Sequence, residues 1–230
     1  MTVHQLLITG ANRGIGLEFV RQYAQDGWKV LACCREPQHA TDLLSLANTH
    51  SGIRILGLDV ANFAQIEALA LQLKEEEIDL LINNAAIYPT GSLGNTDTGD
   101  WLEAFRVNCM APMKMAEAFL PQIARSRLKK MATISSKMGS LDDNTSGGSY
   151  IYRSTKAAVN MVMKSLSIDL VAFGISVVTL HPRWVLTRMG GANALIDTHK
   201  SVSGMRRVIR GLHPGNSGQF IAYDGRAINW

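Results

Sequence analysis

Tyr152 and Lys156 stand four residues apart, the spacing that brings two side chains onto one face of a helix. A phenol with a reference pKa of about 10 is a poor base at neutral pH, but an ammonium beside it favours the phenolate and draws its pKa toward the working range. Upstream, Ile134-Ser135-Ser136-Lys137-Met138-Gly139 leaves a predicted strand, so Ser136 can hydrogen-bond a carbonyl oxygen held between it and Tyr152. The chemistry such a trio supports is proton transfer at an oxygen of a small molecule. Each piece alone is common: Tyr and Lys fall at helical spacing by chance, and paired serines after a strand often form an ordinary turn.

A second group sits near the start of the chain. Thr9-Gly10-Ala11-Asn12-Arg13-Gly14-Ile15-Gly16 follows the first predicted strand, and a helical pattern begins inside it. Glycines permit a tight turn and let the backbone approach a pyrophosphate, whose charge then rests at the helix N-terminus among unpaired N–H groups. The spacing is G-x-x-x-G-x-G, and a plain glycine turn is the alternative reading. At the end of the second strand, about 20 positions on, an acidic residue would hold the ribose 2′-hydroxyl of NAD. Here the chain reads Ala32-Cys33-Cys34-Arg35-Glu36. Arg35, helped by Arg13, offers a planar, permanently charged fork suited to a 2′-phosphate, so NADP(H) is expected in preference to NAD(H). Glu36 is the contrary sign, and a solvated surface charge is the alternative for either arginine.

The elements that must position these residues alternate along the chain. Val3 to Thr9, Trp28 to Cys34, Ile53 to Leu58, Ile78 to Asn83, Met131 to Ser135, Ile175 to Leu180 and Gln219 to Ala222 read as strands, most of them apolar nearly throughout, as strands buried on both faces are. Ile15 to Asp26, His39 to Thr49, Phe63 to Glu76, Asp100 to Arg125 and Tyr150 to Phe173 read as helices. The fold expected is α/β: a doubly wound Rossmann-type parallel sheet of about seven strands with helices on both faces. No repeat or linker divides residues 1–230, so a single domain is expected, with loops at Ser140 to Ser149 and Met189 to Ser203 and a short substrate loop near 188–211. Ligands of such sheets bind outside the carboxyl ends of the strands, where these motifs fall.

Composition narrows the class. A hydrophobic fraction of 47% with 18% charged residues excludes disorder as the main state. The net charge of +4 comes without a basic run, so nothing points to nucleic acid. Three cysteines, Cys33, Cys34 and Cys109, have neither metal-ligand spacing nor a disulfide framework, and a reducing compartment is expected. Met1 to Gly10 lacks the features of a secretory signal, and no apolar stretch is long enough to span a bilayer, so the expectation is a cytoplasmic protein without a membrane partner. Seven of the ten methionines lie between Met110 and Met163 and read as core or subunit contact. Lys129-Lys130 and Arg206-Arg207-Arg210 read as solvated faces, and His181 as structural.

Taken together the motifs resemble the short-chain dehydrogenase/reductase family over essentially the whole chain: the glycine turn, Asp59-Val60, Asn83-Asn84-Ala85-Ala86, Asn108, Ser135-Ser136 and Tyr152-Arg153-Ser154-Thr155-Lys156 occur in its order. The resemblance implies that Tyr152 is the general acid/base, Ser136 polarises the carbonyl, Lys156 holds the nicotinamide ribose and tunes Tyr152, and Asn108 anchors a relay water. It implies that Asp59 and Val60 contact the adenine end and that Asn84, Ala85 and Ala86 line the cofactor cleft. The family's serine precedes x-x-Gly, which selects Ser136 over Ser135. The longer Ser136-to-Tyr152 interval, with its extra residues in Asp142 to Gly148, and the ending Tyr223-Asp224-Gly225-Arg226 with Trp230 resemble small C-factor-like carbonyl reductases. One departure stands out: where the family has Pro-Gly after the sixth strand, this chain reads His181-Pro182-Arg183-Trp184-Val185-Leu186-Thr187. Arg183 either crowds the nicotinamide or points away; Pro182, Val185 and Thr187 remain the expected contacts to the cofactor. The function implied is NADP-dependent hydride transfer between nicotinamide and a small carbonyl or alcohol substrate, in a homodimer or homotetramer. The competing reading is a non-catalytic, nucleotide-binding regulatory protein on the same fold.

Overall fold

The computed structural model describes residues 3–230; Met1 and Thr2, which begin the N-terminal segment read for a signal, lie outside the described residues. Seven strands, β1 (Gln5–Thr9), β2 (Lys29–Cys34), β3 (Ile53–Gly57), β4 (Leu80–Asn83), β5 (Lys130–Ile134), β6 (Ser176–His181) and β7 (Gln219–Ala222), form one sheet in the order β3-β2-β1-β4-β5-β6-β7. Every neighbouring pair is parallel. All seven carboxyl ends therefore lie along one edge, and the strand order reverses between β1 and β4, the crevice where such sheets take ligands.

The apolar strands are read correctly for a physical reason. Successive side chains point to opposite faces, and both faces are covered: Leu6 and Ile8 of β1 join one core cluster while Leu7 joins the other. Helices α1 (Gly14–Gln25), α2 (Thr41–Thr49) and α7 (Thr198–Arg210) pack on the first face, through residues such as Phe19, Leu43 and Met205. Helices α3 (Phe63–Gln72), α5 (Ala111–Arg125) and α6 (Tyr150–Asp169) cover the second, through Ile66, Phe119 and Met163.

Three expectations need correction. The segment Asp100 to Arg125 is not one regular helix: α4 (Thr98–Phe105) and α5 are joined by a π-helical turn at Arg106–Met110, which carries Asn108. The loop expected over Met189 to Ser203, and the short substrate loop expected near 188–211, give way at Thr198 to helix α7, capped by Asp197 accepting from Lys200 N. The apolar positions Val202, Met205 and Ile209 carry the helical period that marks it. Nor are all the basic residues simple solvated charges. Arg206 hydrogen-bonds Gln22, pairs with Asp26 and stacks 4.4 Å from the Tyr23 ring, joining α7 to α1. Lys130 Nζ donates to the carbonyls of Ile209 and Arg210, closing the end of α7. Met115, Met131 and Met163 are core residues, while Met110 and Met161 are exposed.

Candidate active site

The glycine turn links β1 to α1, and its glycines are sterically obligatory. A Cβ on Gly16 would fall 2.1 Å from the Gly10 carbonyl oxygen, and one on Gly10 would fall 2.9 Å from Ala85 Cα. Gly10 and Gly14 also take positive φ, +65° and +54°. The turn is buttressed from β4: Asn84 Nδ2 donates to the carbonyls of Thr9 (2.9 Å) and Gly10 (3.0 Å), and the Thr9 hydroxyl accepts from the amides of Asn84 and Ala85. Asn84 and Ala85 thus brace the cradle, and Thr9, quoted with the motif but given no role there, is a supporting residue. Gly14 faces the Thr187 methyl, which a Cβ there would approach to 3.3 Å, so the loop after β6 closes on the same cradle.

Asn12, Arg13 and Ile15 complete the turn, and Arg35 stands where β2 ends. Arg13 and Arg35 are exposed, and neither guanidinium has a hydrogen bond or ion pair with another described residue. Glu36 lies 3.6 Å from the His39 ring nitrogen. Asp59 and Val60 follow β3, where Asp59 accepts from Ala61 N and Val60 is buried. A dinucleotide fits this edge: the backbone cradle leaves no space for side chains, and two cations beside it lack partners.

Ser136 and Tyr152 are brought together by a close approach of backbones. The short 3-10 turn Lys137–Gly139 begins at Ser136, and a Cβ on Gly139 would fall 2.6 Å from the carbonyl carbon of Lys156. Only glycine lets the serine loop lie against α6, which is the physical content of Ser-x-x-Gly. Ser135 serves structure: its hydroxyl donates to Asn160 Oδ1 at 2.6 Å, and Asn160 in turn donates to the Gly139 carbonyl. The added residues before α6 are stapled by Arg153, which donates to Met138 O, Ser146 Oγ and Gly147 O, a role that sequence spacing does not signal.

Tyr152 is buried beneath Tyr88, their ring centroids 4.4 Å apart, and Tyr88 is tethered by a 2.9 Å hydroxyl contact to Ser149. Lys156, 2% exposed, places Nζ 5.6 Å from the Tyr152 ring centroid and donates to Ile134 O at 2.9 Å. Burial pushes Tyr152 well above the usual phenol range, a hydrogen bond with Ser136 works in the other direction, and Tyr88 adds to the rise. Burial also lowers the Lys156 ammonium to about 8, with Cys109 opposing. In both groups burial is the largest cause.

The Asn108 side chain is fully engaged with protein groups. Its Oδ1 accepts from Ile87 N, and its Nδ2 donates to Ile87 O and to Thr155 Oγ1, whose hydroxyl donates to Tyr152 O. The side chain is a clamp from the loop after β4 to the first turn of α6. π-turns often mark functional positions, and this one aims the clamp.

After β6, Pro182 O accepts from the fully buried Ser201 hydroxyl of α7 at 2.6 Å, so the helix missed in the sequence holds this turn. Val185 is buried and bridges to Ile196. Thr187 spends its hydroxyl on Val185 O and Gly190 N. Arg183, standing where the resemblance leads one to expect glycine, adopts φ +75°, and its side chain is exposed. Ala86 continues the loop that leaves β4.

Comparison with known proteins agrees with this edge. The family model for short chain dehydrogenases matches residues 4–195. The chain is 42% identical to C-signal of Myxococcus xanthus over 166 residues, 72% of this chain and all of that protein. It is 33% identical to 1-hydroxy-2-glutathionyl-2-methyl-3-butene dehydrogenase of Rhodococcus sp. strain AD45, over 98% of this chain and 99% of that one. The crystal structure of NADPH-bound carbonyl reductase from chicken fatty liver superimposes with a TM-score of 0.94 at 35% identity, covering 100% of both chains. The matched span contains the glycine turn, the serine loop and the Tyr-x-x-x-Lys helix, and the chain belongs to the short-chain dehydrogenase/reductase family of oxidoreductases.

Proposed function

We propose that the protein is an NADP(H)-dependent reductase of small carbonyl compounds, with Tyr152 as general acid, Ser136 polarising the carbonyl and Lys156 holding the nicotinamide ribose. The observation that carries this reading is the buried phenol of Tyr152, raised in pKa and beside Ser136, on a helix whose next turn buries Lys156. A phenol kept protonated is a proton donor, the role required when a carbonyl becomes an alcohol. Two hydroxyls aimed at one oxygen stabilise the negative charge that develops there. When bound, the nicotinamide supplies the hydride at C4.

Gly10, Asn12, Gly14, Ile15 and Gly16 would cradle the pyrophosphate, Arg13 and Arg35 the 2′-phosphate, Asp59 and Val60 the adenine end, and Asn84, Ala85 and Ala86 the cleft floor. Pro182, Val185 and Thr187 would face the carboxamide. The NADPH named in the chicken carbonyl reductase structure supports the cofactor assignment, and the partnerless Arg13 and Arg35 support the preference for NADP(H) over NAD(H). Asn108 acts as a positioning residue through Ile87 and Thr155. Exposed Leu102, Met161 and Ile168 on α4 and α6 support assembly as a homodimer or homotetramer. No described helix is long and apolar enough to cross a membrane.

The test is NADPH oxidation against ketones, aldehydes, quinones and diketones, run beside Tyr152→Phe with cofactor binding measured separately. Turnover lost in the variant with NADPH still bound supports the reductase. The relative named C-signal favours a second reading, a nucleotide-binding signalling protein. Tight NADPH binding with no turnover across the panel would select it.

A further inference from the structure

Arg183 is the one non-glycine residue with positive φ among those lining a cleft of about 340 Å3 between the serine loop, the end of β6 and the segment after β7. A side chain persists in that conformation only where its surroundings over-determine it, and such outliers gather at ligand sites. Most other polar side chains of the cleft have protein partners, and of its three carboxylates only Asp142 has no cation among the described residues paired with it. Lys137 pairs with Asp143 at 2.5 Å, Arg226 with Asp224 at 2.7 Å, and Asp142 accepts from Asn229 Nδ2 at 2.7 Å. His181 spends Nδ1 as an acceptor for the Lys137 amide at 3.1 Å. The Arg183 guanidinium alone has no hydrogen bond or ion pair with a described residue.

The cleft is continuous in chain with the candidate active site. Lys137 directly follows Ser136, Arg183 directly follows Pro182, and the hydrogen bond from Lys137 N to His181 fastens the two segments together. The segments that carry Ser136 and Pro182 thus run directly into this cleft. We propose that Arg183 determines specificity by receiving, in bidentate fashion, the carboxylate of a keto acid whose carbonyl oxygen is held by Ser136 and Tyr152. The inference rests on the reductase reading and adds the substrate class to it. A planar guanidinium suits a carboxylate because two parallel N–H donors meet its two oxygens.

The test compares acetoacetate, levulinate and 5-oxohexanoate with their methyl esters, pairs that differ in charge and little else, using wild type, Arg183→Gly and Arg183→Lys with NADPH. For at least one chain length, wild type is expected to favour the acid tenfold or more in kcat/KM. Arg183→Gly is expected to lower that acid-to-ester ratio at least tenfold, chiefly through KM, and Arg183→Lys to retain part of it. A ratio near one in wild type, or a glycine variant that changes acid and ester alike, overturns the proposal; the latter is what a merely structural role gives. Calorimetric titration of glutarate into the NADPH-loaded protein separates the two readings. Binding that weakens tenfold in Arg183→Gly while no carbonyl is reduced sustains the anion site and removes the reductase. Ester reduction without acid preference or Arg183-dependent glutarate binding does the reverse.

Discussion

The turns after β1 and after β6 both bend the backbone through positive φ, beside the same cradle, yet they solve the problem with different residues. The first uses glycine, at φ +65° and +54°, and the second uses Arg183 at φ +75°. In the first, space itself is lacking: a Cβ on Gly16 would sit 2.1 Å from a carbonyl oxygen. At Arg183 the side chain is exposed and opens into a cleft, so the cost is torsional only, on the order of 1–2 kcal/mol. Steric exclusion cannot be traded against anything, whereas a modest torsional penalty can be offset by what a side chain does once it is there.

The largest effect expected from breaking this contrast is Gly16→Ala. The Cβ has no room against the Gly10 backbone, so NADPH affinity should fall by more than about a hundredfold, with a clear loss of thermal stability, measured by fluorescence titration and thermal melting. Replacing the cations at the turn comes next. Arg13→Ala and Arg35→Ala should each weaken NADPH by about ten- to a hundredfold, the worth of a hydrogen bond to a charged group, while moving NADH little. Equal loss for both cofactors would remove the 2′-phosphate role. Asn84→Ala strips two carbonyls of the glycine turn of their donors and should cost about 1–3 kcal/mol in denaturant unfolding.

The turn after β6 gives the smaller effects. His181 is lowered to about 4, first by burial and then by the charges of Arg183 and Lys137, with Asp143 and Asp224 opposing. The unfolded chain takes up this proton near the ordinary histidine pKa of about 6.5, the native state only near 4, so stability falls as pH drops between the two and is unaffected above. His181→Asn, which keeps an acceptor for the Lys137 amide, should flatten the melting temperature over that window. Arg183→Gly relieves the torsion but loosens the unfolded chain, leaving a net gain of up to about 1 kcal/mol, or a few degrees of melting temperature. The same substitution in the first turn's sense, glycine to a larger residue, has the opposite sign, and that asymmetry is the sharpest form of the comparison.

Much of this edge was legible in the residues because each demand has a local signature. Unbroken apolar strands announce a sheet covered on both faces, and Gly10, Gly14 and Gly16 announce a close approach of backbones. The departure at Arg183 was visible as a missing glycine; its positive φ was not, since conformation there is set by the tertiary path from β6 to α7. Helix α7 was obscured by Asn, Asp, His and Lys near its start, although Val202, Met205 and Ile209 carried the period. The burial of Tyr152 has no local signature, since i,i+4 spacing speaks only of Lys156, while Tyr88 reaches it from the loop after β4. The partners of the Asn108 side chain, Ile87 and Thr155, are not legible in the sequence, because they meet it only when the π-turn forms.

The most direct test of the central claim, that Tyr152 delivers the proton while hydride leaves the nicotinamide, is a single-turnover reaction with NADPH deuterated at C4 and a substrate identified from the carbonyl panel. The account predicts deuterium at the new carbinol carbon in wild type and, in Tyr152→Phe, NADPH binding within about twofold with transfer slowed by a thousandfold or more, the effect of removing a positioned proton donor from a site that excludes water. Transfer at the wild-type rate in the variant would contradict it.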